Sequence, residues 1–321
     1  MKIVKISQPS GWANKINQST PEEKGIWKNY KFVLTNDTID CDYWIVLGDI
    51  DVKQQANCAP ENIFFITDEA YPEKKYNQNF LNQFASVITS RDDITHSNII
   101  KSPYICGWYI KKNYDFLNAL NPSEINKSKI ISVVSSDLNY LEGHIKRYAF
   151  VNKMMGHFKN RLDVYGRGIN PIDDKYDALI NYKYSIAIEN SHLHGYFSDK
   201  IIDCLLTYTM PIYYGCTNIL EYFPEEAMIK IDINNYIESI EIIEEAIRTN
   251  RFEKNFDNLV EARKIYLNTY HPLQAMSNIL DRQDPLQHKK GLQSLQSMNF
   301  FNNQKQTVPL LKRVYRKIKN I

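Results

Sequence analysis

Long apolar runs are missing from this chain. No stretch of 18 apolar residues occurs, so no membrane-spanning helix is expected. Met1 leads straight into Lys2-Ile3-Val4-Lys5-Ile6, which has neither the apolar core nor the cleavage site of a secretory signal. Cysteine is scarce: Cys41, Cys58, Cys106, Cys204 and Cys216 are scattered, odd in number and without CxxC spacing, which argues against a disulfide framework and for a reducing, cytoplasmic compartment. With 11 Gly and 12 Pro among 321 residues, fibrous and low-complexity classes drop out. HExxH, P-loop, GxSxG and GxGxxG patterns are all absent, and the seven His show no ligand spacing. Acidic residues are missing from 285 to 321, where eight Lys and Arg stand; the rest of the chain is then net −6, from +2 less 8. A nucleic-acid binder would spread its basic residues over the folded body, so none is expected as a partner.

What is present is a 43% hydrophobic, 24% charged chain, long enough for two cores. Near-continuous apolar runs at Lys2 to Ile6, Asp42 to Leu47, Asn62 to Thr67 and Ala85 to Thr89 predict buried parallel strands in a first α/β domain. Around Lys111 to Lys129 the pattern dissolves into Asn, Pro, Ser and Lys, which predicts a linker. From there strands alternate with single helices to about residue 268, as right-handed βαβ crossovers demand. The expected domains are 1–120, 121–284 and a basic tail, 285–321.

Three segments carry the chemistry. The first is Tyr182-Lys183-Tyr184-Ser185-Ile186-Ala187-Ile188-Glu189-Asn190-Ser191; the second is Tyr196-Phe197-Ser198-Asp199-Lys200-Ile201-Ile202-Asp203 and the third Pro211-Ile212-Tyr213-Tyr214-Gly215. Ser198 precedes an apolar-periodic helix and is a good N-cap. Asp199 and Lys200 then fall in the first turn, where free N–H groups and the helix dipole attract phosphate. Arg147, early in a helix after Ser135-Ser136, and Arg167, between two glycines, are placed to fork onto a diphosphate. Glu189 ends an apolar strand, where a buried carboxylate needs a partner or a ligand. The plain alternatives are a solvated helix face for Arg147, a surface lysine for Lys200 and a core aromatic for Tyr196.

Together these segments resemble the donor-binding signature of the α-1,3-fucosyltransferase family, YKF-x-I-x-x-ENS, then Y-x-TEK-x-x-D, then PIY-x-G, over nearly forty ungapped positions. Ser135-Ser136, Gly143-His144-x-x-Arg147 and Asp163 to Gly168 extend the resemblance to about 129–232. It implies a GT-B fold, two Rossmann-like domains facing across a cleft, and an inverting transfer of fucose or a related sugar from a GDP-sugar to a glycan or lipid-linked glycan, such as a bacterial surface polysaccharide or lipopolysaccharide. It also implies a donor site formed by Ser135, Arg147, Arg167, Glu189, Asn190, Tyr196, Ser198, Asp199 and Lys200. The family's Thr-Glu-Lys is Ser198-Asp199-Lys200 here, which leaves a different nucleotide-sugar donor open. A catalytically silent nucleotide-sugar-binding protein is the rival class.

Inverting transfer needs a base for the acceptor hydroxyl. The strand Ile63 to Thr67 ends in Asp68 and Glu69, and resembles the family's base-bearing segment; Glu69 is the first choice and Asp68 the second. No cofactor is expected, a divalent metal being at most stimulatory; Asp40-x-Asp42 and Asp49-x-Asp51 match the DxD pattern of metal-dependent transferases only at chance level. Val308 to Ile321 places Leu311, Val314, Tyr315, Ile318 and Ile321 near one helical face with basic residues around the rest, a basic amphipathic helix suited to the anionic inner face of the cytoplasmic membrane.

Overall fold

The computed structural model describes residues 1–71, 73–135, 141–283 and 289–303; the amphipathic pattern of 308–321 lies outside them. The chain divides into two compact units, the first made of residues 1–16, 25–102 and 283 onward, the second of 17–24 and 103–282.

The first unit is built on a seven-stranded sheet. Its strands are β1 (Lys2–Ser7), β2 (Ile26–Trp27), β3 (Tyr30–Leu34), β4 (Tyr43–Leu47), β6 (Ile63–Ile66), β7 (Ser86–Thr89) and β8 (Ile99–Lys101), in the order β2-β3-β1-β4-β6-β7-β8. All neighbours run parallel except β2 and β3. The predicted apolar runs are β1, β4, β6 and β7, which pair with Val4 opposite Tyr43, Ile45 opposite Phe64 and Phe65 opposite Val87. A short helix α1 (Gln78–Leu81) brings Phe80 edge-on to Phe65, 5.3 Å between centroids, and Phe84 stacks on Phe65 at 5.0 Å. Each such buried ring removes enough apolar surface from water to stabilise by about 2 to 3 kcal/mol.

Strand β5 (Gln54–Cys58) stands outside this sheet and pairs antiparallel with Gly291–Leu295. Residues 289–303 are therefore not a free tail. Leu295 is buried with Trp44 and Phe65, and the Met298 amide donates to Asp49 Oδ1 at 3.0 Å.

The second unit holds a five-stranded, wholly parallel sheet of β9 (Lys129–Val134), β10 (Leu162–Tyr165), β11 (Tyr182–Ile188), β12 (Met210–Tyr214) and β13 (Ile229–Lys230), in the order β10-β9-β11-β12-β13. Helix α2 (Tyr114–Ala119) precedes the sheet, and α3 (Glu142–Phe158), α4 (Asp199–Leu206), α5 (Tyr236–Arg248), α6 (Arg251–Lys254), α7 (Phe256–Ile265) and α8 (Pro272–Asp281) follow or cross it. The predicted linker, 111–129, does not behave as one: its Leu117 is buried in the core of this unit, with Trp108 and Ile110 just before it, beside Ile131, Phe150 and Leu205. The boundary thus falls at 102/103, not 120, because three apolar anchors outweigh a polar local composition. The order in which strands are added reverses between β9 and β11, whose carboxyl ends flank the position where ligands bind in open parallel sheets.

Candidate active site

Two glycines explain why the motif segments must lie where they do. Strand β9 runs out at Ser135, whose amide donates to Tyr165 O at 2.8 Å. A Cβ on Gly143 would stand 1.7 Å from Asn190 O, so only glycine lets the first turn of α3 press against the loop after β11. That contact carries Arg147 inward. It is 7% exposed and donates through Nη1 to Asn190 Oδ1, so the solvated-face reading does not hold.

Glu189, at the end of β11, is 1% exposed. It accepts the Ser198 amide at 2.8 Å, the Ser198 hydroxyl at 2.6 Å and the Lys200 ammonium at 3.2 Å. The Ser198 side chain caps α4 as predicted, accepting from the Lys200 amide. A Cβ on Gly215 would fall 2.3 Å from Glu189 Cγ, which ties the glycine after β12 to the carboxylate after β11. Glu189 therefore fixes the N-terminus of α4 and the head of Lys200 together. Against burial, the charges of Glu189 and Asp199 keep the Lys200 ammonium above its ordinary value.

Asp199 and Asp203 stand one turn apart on α4 and share Lys175, from the 3-10 turn Lys175–Ala178. Lys175 Nζ donates to Asp199 Oδ2 and, at 3.2 Å, to Asp203 Oδ2. The other Asp203 oxygen accepts the amides of Tyr109 at 2.9 Å and Ile110 at 3.4 Å. Burial pushes Asp203 up to about 6 despite Lys175. Burial acts the same way on Asp199, but Lys175 and Lys200 overcome it and hold that carboxyl at about 2. Lys175 and Asp203 are not among the residues singled out from the sequence. Asp203 had two signals, the closing position of the Y-x-TEK-x-x-D pattern and its i, i+4 spacing from Asp199; Lys175 had none, standing 24 positions from Asp199.

These side chains border one cavity with about 420 Å³ of open space, lined by Ser135, Arg147, Lys175, Asp199, Lys200 and Asp203 over an apolar floor from β9 and β11. The cavity opens at the reversal point of the sheet. Its positive groups and the first turn of a capped helix can hold a diphosphate, and its carboxylates can accept hydroxyl protons.

Five predicted donor residues, Arg167, Glu189, Asn190, Tyr196 and Ser198, are not among those lining the cavity; Glu189, Asn190 and Ser198 act on its wall through Lys200, Arg147 and the cap of α4. Tyr196 is 5% exposed and its ring packs against Tyr104, centroids 4.9 Å apart, as a core aromatic would. Arg167 is exposed in a turn closed by Gly166 and Asn170, with no ion pair or side-chain hydrogen bond among the described residues. His192 stacks on Tyr214 at 4.7 Å.

In the first unit, Asp68 and Glu69 follow β6 and differ in environment. Asp68 is buried, accepting Tyr76 Oη–H and the Lys74 ammonium at 2.9 Å, while Tyr76 Oη accepts the Asp68 amide. Glu69 is half-buried, and its backbone carbonyl accepts Arg91 Nη1 at 2.9 Å. That guanidinium also grips Asp93 and the Lys74 carbonyl, which pins the loop. The DxD carboxylates hold internal hydrogen bonds: Asp40 to Asn57, Asp42 to Ile3 and Lys290, Asp49 to Ile50 and Met298, Asp51 to Ser10.

The parallel sheets of the two units are those of the GT-B fold class. Residues 125–267 match the model of glycosyltransferase family 10 (fucosyltransferase) C-term. Similar curated proteins are the α-(1,3)-fucosyltransferase FucT of Helicobacter pylori, 32% identical over 73 residues (22% of this chain and 15% of that protein), and a putative fucosyltransferase-like protein of Arabidopsis thaliana, 25% identical over 138 residues (41% of this chain and 25% of that protein). The chain thus matches only a small share of these relatives' lengths. An α1,3-fucosyltransferase solved with GDP-fucose superposes with a TM-score of 0.53 at 17% identity, covering 90% of this chain and 93% of that one, a likeness of fold.

Proposed function

We propose that the chain is an inverting transferase that moves fucose, or a related sugar, from a GDP-sugar to a hydroxyl of a glycan. The observation that carries this is the cavity at the carboxyl ends of β9 and β11, where Arg147 and Lys200 meet the capped N-terminus of α4. The acceptor oxygen attacks the anomeric carbon as the bond to the diphosphate breaks, and Glu69 takes the hydroxyl proton. The charge left on GDP is met by Lys200, Arg147 and the N–H groups of α4. Glu69 is the first choice and Asp68 the second; Asp68 is buried and accepts from Tyr76 and Lys74, which suits it to holding the loop. These cations supply the charge that a divalent ion supplies elsewhere, so the reaction is expected to run without one.

A thermal-shift panel of GDP, UDP, CDP and ADP, with and without EDTA, tests the reading by mass action. GDP alone should raise the melting temperature, and EDTA should not cancel the shift or the transfer. A shift with UDP instead of GDP would replace the donor. That second donor is favoured by one observation, the short Asp199 carboxylate drawn onto Lys175. Binding without transfer to any glycan would make the protein the silent, nucleotide-sugar-binding alternative.

The acceptor proposed is a lipid-linked glycan or lipopolysaccharide reached at the cytoplasmic face of a membrane. The basic amphipathic pattern of residues 308–321 supports this, each basic residue adding up to about 1 kcal/mol at an anionic surface. No helix among the described residues is long and apolar enough to cross a membrane. Full-length protein should float with phosphatidylglycerol vesicles at low salt and not with phosphatidylcholine ones; equal flotation, or none, would remove the membrane role.

A further inference from the structure

Lys175 was not anticipated, yet it lines the cavity with Arg147 and Lys200. Its turn is anchored by Asp174, whose Oδ1 accepts the amides of Tyr176 at 3.0 Å and Lys111 at 2.9 Å. Its ammonium lies 5.3 Å from the centre of the Tyr109 ring and between Asp199 and Asp203. Asp203 is held in turn by the amides of residues 109 and 110. We infer that Lys175 is a positioning residue for donor binding, fixing the Asp199 carboxylate on the cavity wall as the acceptor for a hydroxyl of the nucleotide sugar.

This rests on the nucleotide-sugar reading above and goes beyond it in assigning Lys175 and Asp203. A lysine serving stability alone would be satisfied by Asp203, whose side chain is only 2% exposed. Asp199 keeps 19% exposure and is the carboxylate that faces open space. The charges around it are balanced. Arg147, Lys175 and Lys200 give three positive charges, and Glu189, Asp199 and Asp203 three negative ones when all are ionised. Removing Lys175 would leave a net negative cavity facing a diphosphate, and an Asp199 free to turn back to the N–H groups of its own helix. Nucleotide affinity, not the rate of the bound complex, is the quantity it should control.

The experiment compares wild type, Lys175→Met, Lys175→Arg, Asp199→Asn and Lys175→Met with Asp199→Asn, using GDP binding by calorimetry and donor KM and kcat. The Met variant should bind GDP about ten- to a hundredfold more weakly, as loss of a charge-assisted interaction implies, with kcat changed much less. Arginine should restore most of the affinity, and the double variant should be little weaker than the worse single one. In the ligand-free protein, a ¹³C carboxyl titration should show Asp199 moving up from about 2 once Lys175 is gone. If the Met variant fails to fold, Asp203→Asn, which loosens the same lysine, should show the same rise in KM at constant kcat. Unchanged affinity, or additive losses with no rescue by arginine, would overturn the inference while leaving GDP binding by the wild type intact. Failure of the wild type to bind any nucleoside diphosphate would instead remove the proposed function, and the inference with it.

Discussion

Glu69→Gln is expected to lower the transfer rate by about a hundred- to ten-thousandfold, the usual contribution of a general base, while GDP binds as tightly as before. The amide keeps the size of the side chain and removes only its ability to take the acceptor proton. The Arg91 contact to the Glu69 backbone does not involve the substituted group, so the loop should keep its place. Asp68→Asn should behave differently. It disturbs a buried group that accepts from both Tyr76 and Lys74, so the loss should appear first in stability, at about 1 to 3 kcal/mol. Wild-type turnover in Glu69→Gln, with turnover lost in a fully folded Asp68→Asn, would reverse the assignment.

The largest effect on stability is expected from Glu189→Ala. The substitution leaves the Lys200 ammonium, the Ser198 hydroxyl and the Ser198 amide without their acceptor at the start of α4. Breaking a buried, hydrogen-bonded ion pair from one side typically costs about 3 to 5 kcal/mol, because the remaining charge is uncompensated. Urea denaturation should show that loss, and GDP binding should fall with it since Lys200 loses its anchor. A midpoint within error of the wild type would mean that α4 does not depend on Glu189.

The cap at Ser198 was legible because capping is local: a serine, an acid and an apolar helical pattern suffice. Most strands were legible for the same reason, since runs such as Ile63–Ile66 and Tyr182–Ile188 declare themselves within a few residues. The inward face of Arg147 was not, because helix α3 has only a weak apolar stripe and its orientation depends on Gly143 meeting the backbone of Asn190. Lys175 escaped because its partners are distant in sequence and its own turn carries no signature. Residues 111–129 looked like a linker because Asn, Pro, Ser and Lys dominate locally, yet the buried Leu117, with Trp108 and Ile110 before it, ties that stretch to the second unit. Gly291–Leu295 escaped because its only apolar residues are Leu292, which faces solvent, and Leu295.

The pairing of Gly291–Leu295 with Gln54–Cys58 means that the amino-terminal unit receives one of its strands more than two hundred residues after the strand it joins. During synthesis the whole second unit leaves the ribosome first, so the first unit waits with β5 as an unpaired edge. Closing so long a loop is slow but adds little further free-energy cost per residue. Any shortening of the chain before residue 296 would therefore expose that edge permanently and invite pairing between molecules, whatever it did to the basic segment beyond.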